Sequence, residues 1–141
     1  MEKSRDFFRL FSRLRGRDIM EEQTGNTEVE TMIGKIVKVI VDRPLGTCHP
    51  RHRDIRYPVN YGYIPGIMAG DGEEQDAYIL GVNEPVKEFT GRVIAVIHRL
   101  DDVEDKWVVG PPNRPFTKAE ILEQVAFQEQ YFQTEIRMTE A

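Results

Sequence analysis

The chain has 141 residues, a formal net charge of −5, a single cysteine and three histidines. That length defaults to one domain, and a chain of this size buries roughly two-thirds of its unfolded surface, enough to stand alone. Cys48 by itself excludes an intrachain disulfide and a cysteine-based zinc site and fits a reducing cytoplasm; no apolar run approaches the ~20 residues of a transmembrane segment.

Residues 1–17 carry six basic and two acidic side chains, a local +4 within the total of −5, so the remainder carries −9. An acidic body argues against a nucleic-acid partner. Phe7, Leu10, Phe11 and Leu14 share one helical face and Arg5, Arg9 and Arg13 another. Such a basic amphipathic helix can lie on a membrane surface or dock on a partner, or be a terminal extension with no role. Residues 18–31 are polar and acidic without apolar period and read as a linker. Residues 1–31 are therefore an N-terminal extension, and Met32 opens a domain over 32–141.

Ile33 to Val41 is β-branched and predicts a strand buried on both faces. Pro44 ends it. Thr47 to Arg56 is a loop carrying the main basic cluster, with His49, Arg51, His52, Arg53 and Arg56. Tyr57 to Ile64 predicts a second strand, with Gly62 allowing close backbone approach. Asp76 to Val82, Gly91 to Leu100 and Lys106 to Val109 predict three more. Thr117 with Glu120 forms a capping box, and Ile121, Leu122, Val125, Phe132 and Ile136 form one apolar stripe down the helix it opens. The fold class is mainly β with a C-terminal helix (α+β), a small five-stranded barrel of the OB type.

Asp71-Gly-Glu-Glu-Gln-Asp76 holds four carboxylates in six residues with no base among them. Like charges repel, so a cation held by oxygen ligands is the cheapest remedy. Asp101-Asp-Val-Glu-Asp105 is a second acidic turn. If the two meet at one rim they can hold divalent ions that activate water and clamp a phosphoryl displacement; solvated turns are the plain alternative. Arg43, Arg51, Arg53, Arg56 and Lys106 are the cations available for phosphate. A P-loop is absent. Tyr57, Tyr61 and Tyr63 share strand parity, and their hydroxyls can bond phosphate or a metal-bound water, or simply pack in a core. His49, His52 and His98 are scattered and read as non-ligands.

At YPVNYGYI (57–64), DGEEQD (71–76) and DDVEDK (101–106) the chain resembles the soluble family I inorganic pyrophosphatases, over roughly Ile33 to Ile136. The resemblance implies an OB-like barrel with helices and Mg²⁺-dependent hydrolysis of pyrophosphate to two phosphates, with Mn²⁺ as an alternative metal, in a cytoplasmic homo-oligomer. Position by position it implies metal ligands at Asp71, Glu73, Asp76, Asp101 or Asp102, and Asp105. Glu73 then faces the attacking water. Lys106 and Tyr57 fall to substrate with Tyr131, which stands in the helix Tyr-Lys pair, Tyr61 is the second site tyrosine, and Asp42 stands where the family has a strand glutamate. Of the chain's own cations Arg43 is a further candidate for phosphate, and His49, Arg51 or Arg53 can stand in for the hairpin lysine. The chain departs from the pattern at Glu73 and Glu74 (Asp and Pro in the family), in a shorter Pro44–Tyr57 segment, and in Tyr131-Phe-Gln133, which lacks the helix lysine. Each charged hydrogen bond lost to phosphate costs ~1.5–3 kcal/mol, so a weakened or inactive phosphate-binding or partner-binding module is the alternative reading.

Overall fold

A computed structural model describes residues 32–69, 72–100 and 105–138. The expected N-terminal helix and linker, Asp71, Asp101 and Asp102 lie outside them. The elements are β1 (Ile36–Arg43), β2 (Asn60–Met68), β3 (Glu74–Ile79), β4 (Glu88–Arg99), β5 (Asp105–Gly110), α1 (Lys118–Glu129) and β6 (Thr134–Arg137). The strands follow the order β1-β2-β3-β5-β4, and β4 pairs back onto β1, so five strands close a barrel. Closure removes the unpaired edges that an open sheet would expose. The expected barrel and its terminal helix are both present.

The barrel has two apolar layers. Val37, Val39, Ile64, Ala77, Ile79, Val93, Val96, Trp107 and Val109 form one core. The other joins Tyr57, Tyr61, Tyr78, Ala95, Ile97 and Val108 to Ile121 and Val125 of α1. Alternate residues of β2, β3, β4 and β5 feed opposite layers, as pleating demands. At roughly 1.5–3 kcal/mol per buried Val or Ile, the two layers supply the main folding drive.

One irregularity decides where β4 aims its charges. Its register with β5 shifts between Val93 and Ala95. Val93 and Val96 belong to the first core, while Ala95 and Ile97 belong to the helix-side core, with Ile94 packed against it. An inserted residue flips the faces of everything after it. Arg99 thereby reaches α1.

Gly62 is required by contact. A Cβ there would stand 1.9 Å from the Ile40 carbonyl oxygen and 2.8 Å from Val41 Cα. Gly62 is the partner of Val41 on β1 and of Ala77 on β3, so the close approach expected from sequence is made on the central pairing.

Three expectations need correction. β1 is not buried on both faces: Val37 and Val39 are buried while Ile36 and Lys38 are exposed. No β1 residue belongs to the helix-side core, so its outer face starts uncovered. The helix does not run on to Ile136. It starts as expected, with the Thr117–Glu120 capping box, and ends at Gln130. The chain then turns and forms β6, which pairs antiparallel with the second half of β4. Ile136 is buried from a strand, while Leu122 is 44% exposed. Pairing with the free side of β4 outweighs a helical period that spans only a few apolar residues. The second strand opens at Asn60, because Tyr57 belongs to the preceding hairpin: Gly46 donates to the Tyr57 carbonyl, Tyr57 donates to the Thr47 carbonyl, and Cys48 bridges Arg56.

Candidate active site

β3 and β5 are parallel neighbours, with Ala77 beside Trp107 and Tyr78 beside Val108. Parallel pairing makes the chain enter both strands from the same end, at Glu74 and Asp105. Asp76 on β3 and Lys106 on β5 share the parity of Tyr78 and Val108, which belong to the helix-side layer. The Lys106 ammonium donates to Asp76 Oδ2 at 2.8 Å and to the Tyr61 hydroxyl at 2.8 Å. Lys106 and Asp76 are each only 2% exposed. A buried ammonium survives only when paired and hydrogen-bonded, and this pairing supplies both conditions.

Tyr61 joins this pair to a second cation. The Arg43 guanidinium carbon lies 6.0 Å from the Tyr61 ring centroid and 5.8 Å from that of Tyr57. Arg43 Nη1 donates to the Tyr57 hydroxyl at 2.7 Å. The rings of Tyr57 and Tyr61 are 5.7 Å apart. The fold thus gathers Arg43, Tyr57, Tyr61, Asp76 and Lys106 into one buried cluster, two cations around two tyrosines with one carboxylate.

The remaining expected residues lie around or away from it. Glu73 is half-buried at the entry to β3, and Asp42 is half-buried beside Arg43 on β1. Asp105 Oδ1 lies 2.7 Å from His98 Nδ1, and its carbonyl accepts from Gln75 Nε2 at 2.8 Å. Arg51 and Arg53 are exposed in the 46–57 hairpin. Within that hairpin His49 is turned inward; its Nδ1 accepts from the backbone amides of Arg51 and His52 at 3.0 and 3.3 Å, and its ring stacks near-parallel to Tyr57. Tyr131 is 61% exposed.

Sequence reasoning missed a set of partners behind the cluster. Tyr57 contacts Gln128, Gln128 contacts Tyr78, and Tyr78 contacts Glu129 at 2.6 Å. Arg99 grips Glu129 with two donors, at 3.0 and 2.7 Å, and lies 3.7 Å over the Phe132 ring. Burial, then the Glu129 carboxylate, push the Tyr78 hydroxyl well above the ordinary tyrosine value, against the opposing pull of Arg99. A signal was present. Residues 121, 125, 128 and 129 fall on one helical face, so Gln128 and Glu129 occupy core positions and need buried partners.

The carboxylates at hand are hard oxygen donors, which suit Mg²⁺ or Mn²⁺ rather than a softer metal. Among the described residues no group of three or more His, Cys, Asp or Glu is placed to hold an ion.

The family model for inorganic pyrophosphatase matches residues 17–134, a span that begins upstream of Met32. A curated protein of Mesorhizobium japonicum named inorganic pyrophosphatase is 29% identical over 99 residues, covering 65% of this chain. The chain spans 56% of that relative's length. In three dimensions the chain is similar to the crystal structure of inorganic pyrophosphatase from Ehrlichia chaffeensis, with a TM-score of 0.61 at 20% identity, covering 75% of this chain and 87% of that one. The inorganic pyrophosphatase structure from Neisseria gonorrhoeae gives 0.54 at 22% identity, covering 70% and 74%. At these identities the structural likeness speaks for the fold.

Proposed function

Because the chain belongs to the inorganic pyrophosphatase family, we propose that it hydrolyses pyrophosphate to two phosphates with the help of Mg²⁺ or Mn²⁺. The observation that carries this is the buried cluster of Arg43, Tyr61, Lys106 and Asp76. It combines cations for phosphoryl oxygens with a carboxylate at the metal side.

Asp71, Glu73, Asp76, Asp105 and one of Asp101 and Asp102 would hold the metal. When bound, the cation lowers the pKa of a water and offsets charge on the phosphoryl oxygens. The protein's own part is orientation and proton handling. Lys106 and Arg43 bind phosphoryl oxygens, Arg43 as a planar fork and Lys106 as a point charge. Tyr61 holds the Lys106 ammonium in place, and Tyr57 stands behind Arg43. Arg51, Arg53 and Tyr131 approach substrate from the exposed side, and Asp42 flanks Arg43. The water oxygen bonds to phosphorus, the bridging P–O bond breaks, and the water proton passes to the Glu73 carboxylate. Fixed charges aimed at developing charge are the dominant source of such catalysis. Cytoplasmic location and homo-oligomeric assembly belong to the same proposal. No helix among the described residues is long and apolar enough to cross a membrane.

Phosphate release from pyrophosphate, with Mg²⁺ present or chelated, tests this. We expect metal-dependent release in the wild type and its loss in Asp76→Asn, with an unchanged near-ultraviolet circular dichroism spectrum; full activity in the variant refutes the site. A second reading has one observation in its favour: Asp76 is already engaged by Lys106, which competes with metal. On that reading the chain binds pyrophosphate without turning it over, and calorimetric binding with no phosphate release selects it.

A further inference from the structure

Two polar residues on the buried face of α1 tie the helix to the candidate site, and the chemistry of their partners fixes the direction of every hydrogen bond between them. Glu129 accepts both donors of Arg99. A carboxylate held this way is an acceptor only, so the Tyr78 hydroxyl, 2.6 Å away, gives its one proton to Glu129. Tyr78 then receives from Gln128, which must turn its NH₂ group toward Tyr78, 2.8 Å away. The Gln128 carbonyl is left facing the Tyr57 hydroxyl at 3.1 Å, and Tyr57 donates to it. Tyr57 has no second proton. Toward Arg43 Nη1, 2.7 Å away, it shows lone pairs alone.

We propose that Gln128 is a positioning residue for Arg43: by taking the Tyr57 proton it makes Tyr57 a fixed acceptor that holds the guanidinium in its phosphate-binding orientation. Tyr57 therefore acts on pyrophosphate through Arg43 and donates nothing to it. The Arg99–Glu129 pair, at the far end, sets the polarity of the whole relay. This rests on the reading of Arg43 as a phosphate-binding residue.

The test uses Gln128→Met, which keeps side-chain length while removing both amide groups, and Tyr57→Phe. Loss of a charged hydrogen bond corresponds to about tenfold or more, so each variant is expected to raise KM for pyrophosphate about tenfold. If Gln128 works through Tyr57, the double variant is no worse than Tyr57→Phe alone. A purely structural role in docking the helix would instead give multiplying effects. Nitrogen-15 spectra of the arginine side chains give a readout free of activity. In the wild type, Arg43 and Arg99 should show restrained guanidinium signals. In Gln128→Met the Arg43 signal should be lost and the Arg99 signal kept. A freely rotating Arg43 in the folded wild type, an unchanged Arg43 signal in Gln128→Met, or multiplying KM effects would each overturn the proposal. If the wild type shows no pyrophosphate turnover, the function reading fails and the guanidinium signals alone decide this one. If Gln128→Met does not fold, the wild-type signal still decides it.

Discussion

Most of the decisive residues here are charged or hydroxyl-bearing groups kept out of water. Lys106 with Asp76, and Arg99 with Glu129, are buried ion pairs at 2.8 and 2.7 Å. Such pairs add little net stability, but removing one partner strands the other at ~3–5 kcal/mol. They therefore constrain geometry more than they hold the fold together. Tyr78 lets this be measured. Its folded-state pKa is raised by burial and by Glu129, whereas an unfolded tyrosine ionises near about pH 10. Above that pH the unfolded chain sheds a proton that the folded chain keeps, so the unfolded state is favoured as pH rises. The contribution is complete below pH ~10 and is lost as pH climbs from there toward the folded value. Unfolding free energy followed by denaturant titration should fall across this alkaline window in the wild type. In Tyr78→Phe that fall should be shallower; equal slopes would show that Tyr78 ionises normally.

At the level of elements, the β1–β2 contact and the β4 bulge do the positioning. Gly62 lets β2 lie against β1 where a Cβ would strike backbone at 1.9 Å. Backbone cannot rotate aside as a side chain can, so Gly62→Ala should destabilise by about 3 kcal/mol or more. A lower urea midpoint at unchanged m-value is the expected sign, and an unaltered midpoint would mean that the strands separate at little cost. The bulge after Val93 is equally consequential. Continued alternation would turn Arg99 to the face of Val93, inside the barrel. Instead Arg99 meets Glu129, and the relay to Tyr57 and Arg43 has its anchor.

For the whole molecule, a closed barrel with parallel β3 and β5 starts two acid-bearing segments at one end of the sheet. A divalent cation that binds only the folded chain should stabilise it. At a hundredfold excess over Kd the gain is about 2.7 kcal/mol. Thermal unfolding should therefore shift upward with Mg²⁺, return with a chelator, and shift less in Asp76→Asn. No shift in the wild type would remove the metal from the proposal.

The sequence by itself determined five of the six strands in outline, the capped helix start, the close approach at Gly62, and a motif that points to Tyr57, Tyr61, Asp76 and Lys106. These are local or near-local facts, carried by β-branched runs, turn residues and charge spacing. The tertiary structure alone decided that Lys106 binds Tyr61 and Asp76, that Asp105 meets His98, and that the chain after Glu129 becomes a sixth strand. It alone joined Arg43 to Arg99 through Tyr57, Gln128, Tyr78 and Glu129, a path whose step from Tyr57 to Gln128 spans 71 positions of sequence. Such contacts depend on strand order, on a one-residue bulge and on which face the helix covers. The spacing of residues along the chain carries none of the three.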